Sequence, residues 1–288
     1  MIKHVTFIIA LSMLITACEG EKMQETDRVT MDSKQSVENI PESAWMRLSK
    51  RKYYFGHQSV GYNIIDGIND IMKENPKVQI NIVDTKDPSM LKEGVLAHSS
   101  VGQNTDPVSK LVDFARTMEN GIGDKADYAF MKFCYVDFST NTDVKKVFNE
   151  YRKTHDELKH KYPETTFIHV TTPLTSKQSD LKTLTKNLIK RVIGRPVRTY
   201  KDNIKRNEFN NMIRDEYNEK ALVFDLAKIE ATYPDGEMLK ITKEGNTFPN
   251  MVPAYTYDGG HLNENGRKRI AEQLLIYLAN LPEKKSDQ

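Results

Sequence analysis

Short apolar runs alternating with segments of helical period constrain this chain more than any other feature. Runs at 52–55, 78–83, 128–133, 166–171 and 222–225 carry the Val, Ile, Phe and Tyr that suit strands. From 59 to 75, Val60, Ile64, Ile68 and Met72 instead make a stripe along one helix face, with Pro76 beyond its end. A second helix opens at Asp106, an N-cap followed by Pro107, and is expected to turn Val108, Leu111, Val112 and Ala115 inward. A third spans 143–162, and the last begins at Asn263 with Ile270, Leu274, Leu275 and Leu278 facing the core. Strands alternating with helices predict βαβ units, so the expected class is α/β: three layers, α/β/α, around a mostly parallel five-stranded sheet.

A chain of 288 residues can hold one core of this kind. Lys and Arg number 42 against 40 Asp and Glu, a net charge of +2, which argues against nucleic acid as a partner. At the start, Lys3 and His4 precede an apolar run over 5–14 and then Ile15-Thr16-Ala17-Cys18. The run is shorter than the roughly 20 residues a membrane span needs, so it reads as a secretory signal. A cysteine directly after small residues resembles the lipidation site of bacterial lipoproteins. The expected organisation is a signal peptide over 1–18 with Cys18 lipidated, a polar tether over 19–45, a domain over 46–282 and a charged tail over 283–288. Such a chain would sit outside the cytoplasm, in the cell envelope, held to the membrane by its lipid. With Cys18 so used, Cys134 has no partner for an intramolecular disulfide. The oligomeric state is not legible.

Chemistry concentrates in two segments. In Gly56-His57-Gln58-Ser59-Val60-Gly61 a serine stands where a strand ends and a helix begins, beside free N–H groups and the positive end of the helix dipole. A phosphate loop would need Lys and Ser/Thr where Tyr62 and Asn63 follow, and a nucleophile elbow would need one residue fewer between Gly56 and Ser59. Ser59 is therefore either a nucleophile or a helix cap. Two hundred residues later, Asp258-Gly259-Gly260-His261 sets a carboxylate three residues before a histidine. A serine hydroxyl needs a base to take its proton, and the base works best with a carboxylate fixing its tautomer. One turn can supply both.

Together these segments resemble the SGNH (GDSL-like) hydrolases, in which a serine follows the first strand and Asp-x-x-His precedes the last helix. The resemblance runs from about Lys52 to Leu281 and implies a flavodoxin-like fold. It also implies a Ser59, Asp258, His261 triad, hydrolysis of acyl esters through an acyl-Ser59 intermediate, and no cofactor. Ser100-Val101-Gly102-Gln103-Asn104 looks like the family's second block, implying an oxyanion hole of the Ser59 and Gly102 N–H groups, with Asn104 as a further donor. Gly-His-Gln-Ser replaces the family's Gly-Asp-Ser. The third block, Gly-x-Asn-Asp, is replaced by Phe133-Cys134-Tyr135-Val136-Asp137, where either Val136 or Asp137 occupies the Asn position. With the compartment, the resemblance implies a small-molecule or polysaccharide ester as substrate, for instance an O-acetyl carbohydrate. An acyltransferase built on the same triad and a catalytically silent carbohydrate-binding or scaffold lipoprotein are the alternatives.

Remaining residues have plainer expectations. His57, Gln58, Tyr135 and Asp137 are candidates to line the pocket, although a half-exposed loop position is the simpler expectation for both His57 and His98. No His-x-x-x-His or thiolate pair supports a metal site. Cys134 is expected to be a buried small hydrophobe near the pocket floor, and Tyr255 and Tyr257 to be packed. The stretch 177–206, dense in Lys and Arg, reads as a solvated helical hairpin in which Arg191, Arg195 or Arg198 could meet an anionic substrate.

Overall fold

Every residue of β1 (Tyr53–His57) is buried, because strands flank it on both sides and helices cover both its faces. Its parallel neighbours are β3 (Val95–Ser100) and β4 (Tyr128–Met131). β2 (Asn81–Asp84) lies beyond β3, and β5 (Thr166–Val170) and β6 (Val223–Phe224) lie beyond β4, all parallel, in the order β2-β3-β1-β4-β5-β6. A strand covered on both faces needs apolar side chains at nearly every position, which is why Tyr53-Tyr54-Phe55 and Tyr128-Ala129-Phe130-Met131 read as continuous runs. This computed structural model describes Val29, residues 34–176 and residues 200–282. The expected signal, Cys18, Arg191, Arg195, Arg198 and the tail 283–288 lie outside the described residues.

Alternation along the strands divides the core in two. Tyr53, Phe55, Tyr128 and Phe130 pack beneath α1 (Glu42–Lys50), α2 (Val60–Glu74), α6 (Leu226–Ala231) and α7 (Glu264–Ala279). Tyr54, Ala97, Ala129 and Met131 pack beneath α3 (Pro107–Thr117), α4 (Val144–Lys161) and α5 (Tyr200–Tyr217). A short antiparallel ribbon, β7 (Lys240–Lys243) with β8 (Asn246–Pro249), forms a separate sheet. Where α2 meets α7, a Cβ on Gly67 would lie 2.3 Å from the carbonyl oxygen of Arg267, so only glycine permits this approach. Among the described residues no helix is long and apolar enough to cross a membrane.

The α/β class and the parallel sheet are as expected, with four differences of detail. The sheet has six strands, because β3 carries His98, Ser99 and Ser100 and so does not read as apolar, yet all but the last are buried. Run 78–83 supplies only the edge strand β2; without it the order is the flavodoxin-like 2-1-3-4-5. Helix α3 is rotated from expectation: Val108 and Val112 are exposed, while Lys110, Leu111, Phe114 and Thr117 face inward. Lys110 turns in to reach a buried carboxylate, and the stripe follows it. Finally, packing begins before the expected domain boundary at 46, since Val37, Ile40, Ala44 and Trp45 are buried in the first core. Ala44 and Trp45 lie on the buried face of α1 with Leu48, and Val37 and Ile40 sit in the turn that precedes it, so the boundary falls inside a packed segment.

Candidate active site

β1 ends at His57, and after two residues α2 begins at Val60, so Ser59 stands at the carboxyl end of the central strand, where open α/β sheets place their ligands. Its side chain makes no capping bond to α2. Capping is thus not its role. The carbonyl of Ser59 accepts from the N–H groups of Tyr62 and Asn63, whereas its own N–H, among the described residues, donates to nothing. The hydroxyl lies 4.0 Å from Sγ of Cys134. Beneath the turn, a Cβ on Gly61 would fall 2.2 Å from Cγ of His57, so Gly61 exists to make room for that ring.

The Asp258–His261 turn is built as its sequence suggests. One carboxylate oxygen, Oδ1, accepts from the N–H groups of Gly260 and His261 at 2.9 and 2.8 Å, and the other, Oδ2, meets Nδ1 of His261 at 2.8 Å. Partial burial pushes the Asp258 carboxyl up, but these bonds, that of the His261 ring foremost, outweigh it and hold the group well below the usual carboxylate range. An ionised carboxylate only accepts, so Nδ1 carries the proton and Nε2 is left with a lone pair. Thr256 Oγ1 donates to the carbonyl of His261 at 2.6 Å, and the N–H of Leu262 donates to Asn63 Oδ1 at 3.2 Å. That second bond fastens the turn to α2 one helical turn after Ser59.

His261 sits between two tyrosines. The Tyr135 hydroxyl is 3.4 Å from both ring nitrogens with the rings at 80°, so it points at the imidazole without aligning on either lone pair. Tyr257 lies parallel, 6.0 Å away centre to centre, and is 65% exposed. No hydrogen bond joins Ser59 to His261 in this structure. Consecutive residues nevertheless touch both, Cys134 at Ser59 and Tyr135 at His261.

Several expected roles change. The Gly102 N–H donates to Asp113 Oδ2 at 2.9 Å and so is not free to meet an oxyanion. Asp137 does not line a pocket: its side chain is wholly buried, pairs with Lys110 Nζ at 2.6 Å and accepts from the N–H groups of Cys134 and Thr105 at 2.6 and 2.8 Å. His57 and His98 are not half-exposed loop residues. They are buried side by side, His57 Nε2 3.0 Å from His98 Nδ1, and burial pushes the His57 ring down to about 2. Gln58 is a staple, donating from Nε2 to the carbonyls of Val101 and Gly102. Tyr135 is buried but touches His261, Cys134 is buried beside Ser59, and Asn104 is exposed on the adjoining loop. Tyr255 is packed as expected; Tyr257 is not.

Sequence reading missed a buried polar floor. Lys110, Lys132 and Arg206 are all buried. Arg206 donates to the carbonyls of Tyr135 and Phe138 and to Thr175 and Asn203, so this last cation of the basic stretch fixes the Tyr135 loop instead of facing water. Burial pushes Lys132 below the usual ammonium range, and nearby Lys110 adds to the effect. A cation on an apolar stripe, as Lys110 is beside Leu111 and Phe114, was the available signal. Among the described residues no cluster of metal-ligating side chains occurs.

No family model matches the chain, and no curated protein matches it. Solved structures that are similar include a candidate GDSL-like lipase from Parabacteroides merdae, at 10% identity over 81% of this chain and 99% of that one, TM-score 0.48. A lipase/acylhydrolase from Enterococcus faecalis matches at 14% identity over 80% and 95%, TM-score 0.46. The periplasmic domain of a lipopolysaccharide acetyltransferase from Salmonella ser. Paratyphi A matches at 12% identity over 78% and 83%, TM-score 0.42.

Proposed function

We propose that this chain is a serine ester hydrolase acting outside the cytoplasm, anchored through Cys18, with an acyl ester of a surface carbohydrate as substrate. The observation that carries the reading is the Asp258–His261 pair, whose geometry leaves Nε2 as a base at the same sheet edge as an uncapped serine. The relay requires the Ser59 hydroxyl, now 4.0 Å from Cys134 Sγ, to meet Nε2 once substrate is bound; bonds of this kind are often long before substrate binds.

In the first step Ser59 Oγ bonds to the ester carbonyl carbon and its proton passes to His261 Nε2. Collapse of the tetrahedral intermediate breaks the carbon–oxygen bond of the ester, and the leaving alcohol takes that proton. Water then gives a proton to Nε2 and its oxygen to the acyl carbon, and the acid leaves as Ser59 Oγ recovers the proton. Asp258 holds the imidazole and balances its transient charge. The Ser59 N–H, which donates to nothing among the described residues, is available to the developing oxyanion.

The test is labelling of the mature chain with a fluorophosphonate and turnover of a nitrophenyl acetate, beside Ser59→Ala and His261→Ala. Both signals are expected in the parent and lost in the variants. Labelling absent from the parent, or retained in Ser59→Ala, overturns the reading and favours a silent scaffold. Transfer of the acyl group to an added polyol in preference to water would make the enzyme a transferase.

A further inference from the structure

Two features of the second and third blocks fit together. The Gly102 N–H is taken by Asp113, and the third block has no asparagine, so two expected oxyanion donors are missing. Asn104 lies on the loop that Gln58 staples beside Ser59 through the carbonyls of Val101 and Gly102. Its Oδ1 is 3.0 Å from Lys110 Nζ. An ammonium has no lone pair to offer, so the amide cannot be reversed without losing this bond. The Nδ2 hydrogens are thereby turned away from Lys110, and among the described residues they donate to nothing.

Lys110 is itself fixed. Its side chain is 0% exposed, and its charge is met by Asp137 Oδ2 at 2.6 Å. Asp137 also holds the Thr105 N–H, next to Asn104, and the Cys134 N–H, whose side chain is the one beside Ser59. A continuous set of short polar contacts thus runs from the Asn104 loop to the neighbour of the serine.

We propose that Asn104 is a catalytic oxyanion donor and that Lys110 and Asp137 are positioning residues that set its amide the right way round, replacing the absent third-block asparagine. This rests on the esterase reading above. It also explains why a lysine and an aspartate are buried together here: an ion pair removed from water has little net stabilising value, but it fixes orientation.

The experiment measures kcat and KM for nitrophenyl acetate in the full mature chain for Asn104→Ala, Lys110→Met and the double variant, with thermal melts as a check on folding. Asn104 is exposed, so Asn104→Ala is expected to fold normally and to lose about 100- to 1,000-fold in kcat at nearly constant KM. Lys110→Met is expected to lose kcat alone but to cost little further in the Asn104→Ala background, because it acts through that amide. Independent, multiplying losses would overturn the positioning role. Should Lys110→Met not fold, Asn104→Asp decides: Lys110 keeps one oxygen and the other turns a negative charge on the oxyanion, so its loss must exceed that of Asn104→Ala. Unchanged kcat in Asn104→Ala, in a parent enzyme whose Ser59 is labelled, overturns this inference and leaves the esterase reading intact. A parent with neither labelling nor turnover overturns both.

Discussion

Asp258 holds His261 twice, at the ring through Oδ2···Nδ1 (2.8 Å) and at the main chain through Oδ1···H–N (2.8 Å). The same carboxylate therefore sets both the path of the turn and the tautomer of the base. Because the pair is three residues apart, its geometry is local and survives movement elsewhere in the cleft.

Replacing Asp258 by Asn separates these duties. The amide oxygen can still accept from the backbone, so the turn should persist, but the NH2 group then faces Nδ1 and drives the proton to Nε2, where a base is needed. In a Ser-His-Asp enzyme this change costs about 10,000-fold in kcat. A loss of that order is expected for Asp258→Asn with an unchanged melting temperature, measured by ester hydrolysis near pH 7. Retention of most of the activity would remove Asp258 from the triad.

Gly67 tests the packing that brings the two halves of the site together. Its virtual Cβ lies 2.3 Å from a backbone oxygen of α7, which cannot swing aside as a side chain would. Gly67→Ala must push α2 and α7 apart, and α2 carries Ser59 at its start while α7 follows the His261 turn. Overpacking of this kind costs about 1–3 kcal/mol, against which alanine's better helix propensity returns up to about 1 kcal/mol. A lower urea midpoint is expected, with reduced kcat. A variant as stable as the parent would show that the two helices have room to spare.

What could be read from sequence was what is local. The Ser59 turn, the Asp258–His261 loop, the Asp106 and Asn263 caps and the apolar stripes of α2 and α7 are each encoded within a few residues, and each has the expected form. The β3 strand was not legible because its polar side chains are satisfied from afar: Ser99 by the Tyr54 hydroxyl at 2.6 Å and His98 by His57. The same holds for Lys110, whose carboxylate partner is 27 residues away. A polar residue in an apolar setting signals a partner but does not say which. Gly102 illustrates the opposite error, since a motif position does not reveal that Asp113 has already claimed its N–H.

Lys132 offers a third test. Its ammonium meets the carbonyl of Phe133 at 3.4 Å and Cys134 Sγ at 3.9 Å, and forms no salt bridge among the described residues. Burial without a carboxylate partner disfavours the charged form, so folding carries a cost that an unfolded, hydrated lysine does not. Lys132→Met keeps the length and the packing but removes that cost. A rise in stability of at least about 1 kcal/mol is expected at pH 7, read as a higher urea midpoint. A fall would mean that the amine makes a stabilising contact worth more than its desolvation.

The buried histidines set the acid limit of the fold. Burial depresses His57 to about 2 and His155 to about 4, and lowers His98 and His169 as well. A base whose folded pKa is depressed stays neutral in the native state while the unfolded chain takes up protons below about 6.5. The stability from burying these rings is therefore whole above that value and is lost progressively as pH falls below about 6.5, down to about 4 for His155 and about 2 for His57. Each ring adds a slope of up to about 1.4 kcal/mol per pH unit. Glu230 runs the other way. Its carboxyl is raised to about 8 by burial, partly offset by the Leu174 N–H, so its contribution is whole below about 4.5 and lost as pH rises through 8. Between pH 6.5 and 4.5 four histidines oppose one glutamate, and a net loss of stability on acidification is expected in urea titrations at pH 7 and pH 5. His155→Phe should flatten that slope, because the ring then has no proton to gain. An equal slope in parent and variant would mean that His155 finds a way to charge without unfolding.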